Sequence, residues 1–123
     1  MELKIDKSRP ICPQICEQIC AAISRGDILP ESKLLSVREV ALLAGVNPNT
    51  VQKSFEELER SRIIHSIRGS GWYVCAETEK ARELLSGLCE AKTREYISSM
   101  ERLGFDSKQV LKYINEFVGG KDE

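Results

Sequence analysis

The stretch Ser36–Ser61, SVREVALLAGVNPNTVQKSFEELERS, constrains the fold more than any other part of the chain. Two short segments with helical apolar spacing flank Gly45-Val46-Asn47, a link that allows little more than a tight turn. Ahead of it, Ser36 and Glu39 spell an S-x-x-E capping box, in which the serine side chain and the glutamate satisfy each other's backbone N–H groups. Val37, Val40, Ala41 and Ala44 then give a buried stripe, and Gly45 ends the helix. Beyond the turn, Asn47 is placed to cap a second helix, with Pro48 at the first helical position. Val51, Phe55 and Leu58 recur at i, i+4 and i+7, facing inward, and the helix is expected to run to about Arg60.

The flanking sequence fits around this pair. Residues 2–9 are a short lead-in, and a helix is predicted over about Pro13–Ser24. Gly26–Leu35, with Asp27, Pro30 and Glu31, reads as a loop. Ile63–Ile67 is rich in β-branched residues, Arg68-Gly69-Ser70-Gly71 is turn-like, and Trp72–Cys75 follows, so a hairpin is predicted. From about Glu77 to Leu103 the pattern is helical. Gly104 supplies a stop, and Asp106 with Gln109 caps a last helix to about Val118. The expected architecture is mainly α with a small β-hairpin: a winged helix-turn-helix over residues 1–76 and a two-helix dimerisation tail over residues 77–123.

In such a unit the second helix of the pair enters the major groove tip-first. Small polar side chains there allow close approach to a duplex, while the N–H groups and positive dipole end of a helix start favour phosphate. Asn49 and Gln52 carry amides that can pair bidentately with adenine, and Thr50 can meet a phosphate or a thymine methyl. A good helix start accounts for Asn47 and Pro48. It does not account for Asn49, Thr50, Gln52 and Lys53 together on the outward side. Arg38 is expected to join them as a phosphate contact and Arg68 as a DNA contact, while Lys33, Arg60 and Arg62 fit a DNA contact and solvated surface equally well. His65, alone on a strand, is assigned to hairpin surface.

Pro10-Ile11 with Gln14-Ile15, Ser36-Val37-Arg38-Glu39-Val40-Ala41, Gly45-Val46-Asn47, Asn49-Thr50-Val51, Leu58 and Gly69-x-Gly71 together resemble the GntR family of bacterial transcription regulators, over roughly residues 10–75. The short tail and the run VNPNTVQK look most like its YtrA-type subfamily. The resemblance implies a homodimeric winged-helix protein, usually a repressor and often governing neighbouring transporter genes. It also implies DNA contacts from Arg38, Asn49, Thr50, Arg68 and Gly69. Many members carry arginine where Pro48 and Gln52 stand, so the operator is expected to differ from theirs. Arg62 stands where the family commonly has glycine, Trp72 replaces a common threonine, and Leu42 and Leu43 occupy positions more often polar.

Charge does not carry this reading. The chain is −1 overall, and residues 1–75, with ten Lys/Arg and nine Asp/Glu, are only +1. Positive charge must therefore be sorted onto one face rather than supplied in bulk. Cys12, Cys16 and Cys20 share a helix side with Ile11, Ile15, Ile19 and Ile23, and are expected to be core rather than metal ligands. No cofactor is implied. A phosphate-cradling Gly loop, a paired His and carboxylate, and a nucleophile motif are all missing, so the chain is not read as an enzyme. Neither a membrane span nor a secretory signal is visible, and a cytoplasmic protein is expected.

The tail carries two apolar stripes: Ala81, Leu84, Leu85, Leu88, Tyr96, Ile97, Met100 and Leu103, then Val110, Leu111, Ile114 and Phe117. Two helices cannot cover both, and a twofold partner matching a palindromic operator is the expected solution. Any small-molecule effector would have to sit at the dimer interface or between tail and winged helix, since cavities need walls from several elements. The competing reading is a winged-helix adaptor that binds protein without touching DNA. Near-neutral charge favours it; the polar and basic residues on one face oppose it.

Overall fold

The computed structural model describes residues 1–119. Five helices and one hairpin follow in order: α1 Ile11–Arg25, α2 Val37–Ala44, α3 Pro48–Arg60, β1 Ile64–Ile67, β2 Gly71–Val74, α4 Glu79–Arg102 and α5 Ser107–Val118. The chain divides into two compact units, Met1–Leu85 and Ser86–Glu123.

In the first unit, the core is made by the stripes that the sequence displays. Ile15, Cys16, Ile19, Cys20 and Ile23 of α1 meet Val40 and Ala41 of α2 and Val51, Phe55 and Leu58 of α3, with Ile63, Ile64 and Val74 closing the hairpin side. Val37 is half-buried against this cluster. The α1 cysteines are packing residues: burial pushes the Cys16 thiol up to about 12, with Cys12 adding to the shift, and the Cys20 thiol up to about 11. Both stay protonated at neutral pH and pack as small apolar groups. Trp72 reaches the same core, edge-on to Phe55 with ring centroids 5.5 Å apart. Ala81, Leu84 and Leu85 at the start of α4 also pack on it, which is why this unit extends to Leu85.

α1 begins at Ile11, two residues earlier than predicted, because Gln14 holds its entry. The Gln14 side chain is buried, accepts from the Asp6 N–H at 2.8 Å, and donates to the Asp6 and Pro10 carbonyls at 2.9 Å. Gln18 pairs with both backbone groups of Lys4 in the same way, and together the two glutamines zip residues 4–6 along α1.

The segment expected as a plain loop has a structural use. The Leu34 N–H donates to the Trp72 carbonyl at 2.8 Å, Val74 to Ser32 at 3.0 Å, and Glu31 to Val74 at 3.0 Å. With Lys33 bridged to Tyr73, this run covers the free edge of β2. Only four residues long and preceded by Pro30, it carries no alternating pattern that would mark a strand. The hairpin itself is antiparallel, pairing Ile64 with Val74 and Ile67 with Gly71. Its turn is one residue tighter than expected, since Gly71 lies within β2.

Four helices close on a left-handed residue whose following N–H folds back onto the last turn: Gly26, Gly45, Arg62 and Gly104. At Arg62 (φ 61°), Arg62 N–H donates to the Glu59 carbonyl at 3.0 Å and Ile63 N–H to Leu58 at 2.9 Å, both distances those of a well-formed Schellman turn. The left-handed geometry is one that suits glycine, and a Cβ in this region costs about 1–2 kcal/mol. Glycine also loses more unfolded-chain entropy, about 0.5–1 kcal/mol. Arg62→Gly is therefore expected to stabilise the fold by up to about 1 kcal/mol. A raised denaturant midpoint at unchanged m-value is the expected readout. A lowered midpoint would mean that the arginine side chain stabilises more than its backbone costs.

The second unit contains the rest of α4 and the whole of α5. Gly104 (φ 92°) ends α4, and Asp106 with Gln109 forms a full capping box at the start of α5. Val110 is buried, and Phe105 packs edge-on to Tyr113 at 5.6 Å. Tyr96, Ile97, Leu103, Leu111, Ile114 and Phe117 remain exposed, Leu103 and Phe117 by 71% and 73%. Leu88 and Met100 are half-buried. No helix among the described residues is long and apolar enough to cross a membrane.

Candidate nucleic-acid interface

The α2–α3 pair is capped as the sequence spells it. Ser36 Oγ accepts from the Glu39 N–H at 3.1 Å, and Glu39 returns the bond to the Ser36 N–H at 2.9 Å, which holds the Glu39 carboxyl below the usual carboxylate range. Arg38 lies between them in sequence, is exposed, and makes no ion pair among the described residues. It shares an open hollow with Ala41, Leu42, Val46 and Pro48, so α2 and the start of α3 present one continuous surface. Leu42 and Leu43 both face outward, Leu42 by 84%.

At the tip of α3 the structure corrects one expectation. Pro48 has no N–H, the Asn49 N–H donates to Asn47 Oδ1 at 2.8 Å, and the Thr50 and Val51 N–H groups point to the Asn47 carbonyl at 3.0 and 3.4 Å. The free backbone N–H groups expected there are taken up by Asn47. What the tip offers a phosphate is its side chains and the dipole. Asn49 is exposed and Thr50 half-buried on that tip, with Gln52 and Lys53 exposed in the following turn. Gln52 donates from Nε2 to Glu56 Oε2 at 3.2 Å.

The wing tip is set by backbone geometry. Ser70 N–H donates to the Ile67 carbonyl at 2.9 Å across a four-residue turn whose third residue, Gly69, has φ 79°. That angle suits glycine and leaves Arg68 exposed at the apex. His65 lies on the hairpin surface, stacked on Tyr73 at 6.1 Å. Among the described residues no side chain pairs with Arg38, Lys53 or Arg68. Arg60, by contrast, is taken up by Glu57.

Glu59 escaped the sequence reading. Its Oε2 accepts from both the N–H and the Oγ–H of Ser66, each at 3.0 Å, and so ties the wing's first strand to the end of α3. The two residues are seven apart on different elements, and no local pattern signals that bond.

A tight helix pair, a solvent-facing polar tip on the second helix and a basic wing define a winged helix-turn-helix transcription regulator. The chain belongs to the GntR family: the family model described as "Bacterial regulatory proteins, gntR family" matches residues 13–74. It is 35% identical to the HTH-type transcriptional repressor YtrA of Bacillus subtilis, over 93% of this chain and 92% of that one. A solved GntR family transcriptional regulator from Listeria monocytogenes matches with a TM-score of 0.79 and 34% identity, over 91% of this chain and 98% of that one. The DNA-binding domain of AraR, solved in complex with its operator ORE1, matches at a TM-score of 0.51 and 25% identity, over 61% and 94% of the two chains.

Proposed function

We propose that this chain is a homodimeric repressor that grips a palindromic operator in the cytoplasm through the α2–α3 pair and wing of each protomer, and that it catalyses no reaction. The observation that carries this is the convergence of unpaired cations and reading groups on the helix pair and its wing. Arg38, Lys53 and Arg68 have no side-chain partner among the described residues, and on the first turns of α3 Asn49 and Gln52 are exposed and Thr50 half-buried. In this reading Arg38, Lys53, Thr50 and Arg68 meet phosphates, while Asn49 and Gln52 read base edges. Asn47, Pro48 and Gly69 keep the backbone small where it nears the duplex. The similarity to a named repressor supports repression; control of neighbouring transporter genes rests on the subfamily resemblance alone. A small-molecule effector, if the regulator uses one, belongs at the dimer interface, where two chains supply walls that one lacks.

The test separates gripping from reading. Arg38→Ala is expected to weaken binding to all duplexes alike. Asn49→Ala is expected to relax the preferred base at one half-site position, by about 1–3 kcal/mol for a good bidentate pair. Binding selection on randomised duplexes measures both. Equal, weak retention of promoter and scrambled DNA by the intact protein would instead favour the protein-adaptor reading.

A further inference from the structure

Glu56 is hard to explain on a surface built for DNA. It lies one turn beyond Gln52, on the outward side of α3, where a carboxylate repels phosphate. Its neighbour one turn further, Arg60, pairs with Glu57 instead. The hydrogen bond that Glu56 does make among the described residues is the one it accepts from Gln52 Nε2 at 3.2 Å.

We propose that Glu56 is a positioning residue that fixes the Gln52 carboxamide in the flip that reads adenine. The inference rests on Gln52 being a base reader, as proposed above. An exposed glutamine amide turns freely about its last torsion, which has two broad, nearly equivalent settings. Only one of them presents Oε1 to the adenine N6 amino group and an Nε2 hydrogen to N7. An ionised carboxylate is acceptor-only, so Glu56 can hold the nitrogen end of the amide and never the oxygen end. The amide nitrogen carries two hydrogens. One goes to Glu56, back along the helix, and Oε1 with the second hydrogen remains free to face the groove. The same carboxylate repels every phosphate nearby, whatever the sequence. Glu56 thus lowers affinity for DNA in general while sharpening the choice of one base pair.

Five full-length proteins test this on the operator, on operators altered at each half-site position, and on scrambled duplex: wild type, Gln52→Ala, Glu56→Ala, Glu56→Gln and the double alanine variant. Glu56→Ala and Glu56→Gln should both bind scrambled DNA more tightly, since both remove the charge. Gln52→Ala should relax one base-pair position, by roughly 5- to 150-fold for a bidentate pair. Glu56→Ala should relax that same position, with no further loss in the double variant. Glu56→Gln, whose amide can accept from Gln52 or donate to it and so holds either end, should relax the same position too, though less than Glu56→Ala. Retained preference in Glu56→Ala overturns the proposal. So does relaxation at a different position, which would make Glu56 a reader of cytosine in its own right. If Gln52→Ala leaves every position unchanged, it is the base-reading role of Gln52 that fails.

Discussion

A chain shortened after Leu85 is expected to bind its full operator about 100-fold or more weakly than the intact protein, and to sediment as a monomer. The cut is chosen from the packing. Ala81, Leu84 and Leu85 belong to the winged-helix core, so ending the chain before them would uncover that core, whereas ending it after Leu85 leaves the first unit whole. What is lost is the second unit, with Ile97, Leu103, Ile114 and Phe117 facing solvent in the single chain. Apolar area of this extent on two short helices calls for a partner, and a second copy satisfies a palindrome with one symmetry axis. In a dimer the second head binds at high effective concentration once the first has landed, and the shortened chain forfeits that gain. Leu88→Asp in the full chain should reproduce the loss by placing an unpaired carboxylate in the seam. Leu88 is half-buried and lies outside the first unit, so the variant's winged helix should melt like that of the shortened chain. A shortened chain that stays dimeric and holds the operator as tightly as the full protein would assign the tail to some other partner.

The parts of this fold that were legible in the sequence are those fixed by neighbours along the chain. The Ser36–Glu39 box, the Asn47 cap with Pro48 behind it, and the Val51–Phe55–Leu58 stripe depend on spacings of one to seven residues, and all are found as written. The misses depend on partners that lie on a different element or segment. Residues 31–34 line the edge of β2 some forty positions away, and the Gln14 clamp that starts α1 early draws on Asp6. Glu59 holds the wing through Ser66 across the Arg62 turn. The free N–H groups expected at the α3 tip failed for a local reason: the cap that identifies the helix start is what consumes them. In the candidate interface the outward residues were legible as outward, because the apolar stripe leaves no other side. That Gln52 is engaged by Glu56 was not, since an i, i+4 glutamine–glutamate pair on a helix is compatible with either side chain reaching into solvent.

Salt should discriminate the proposed contact set more sharply than any single substitution. If Arg38, Lys53 and Arg68 of each protomer meet phosphates, a dimer neutralises about six, and log K against log[salt] should fall with a slope near −5. Between 50 and 200 mM salt, affinity would drop about 10³-fold. Among the described residues the three side chains have no ion pair to break, so the counterions released come from the DNA without a compensating loss within the protein. Arg60 differs: its guanidinium is already taken by Glu57, and Arg60→Ala should leave the slope nearly unchanged. Arg38→Ala removes one contact per protomer and should flatten the dimer's slope by about 2, whereas the chain ending at Leu85, binding one head at a time, should show about half the full slope. These changes distinguish a loss of phosphate contacts from general damage, because a misfolded variant loses affinity at every salt concentration without a defined change in slope. A full-length slope near −1, unmoved by Arg38→Ala, Lys53→Ala or Arg68→Ala, would remove these residues from the phosphate-binding set and leave the α3 tip as the whole of the grip.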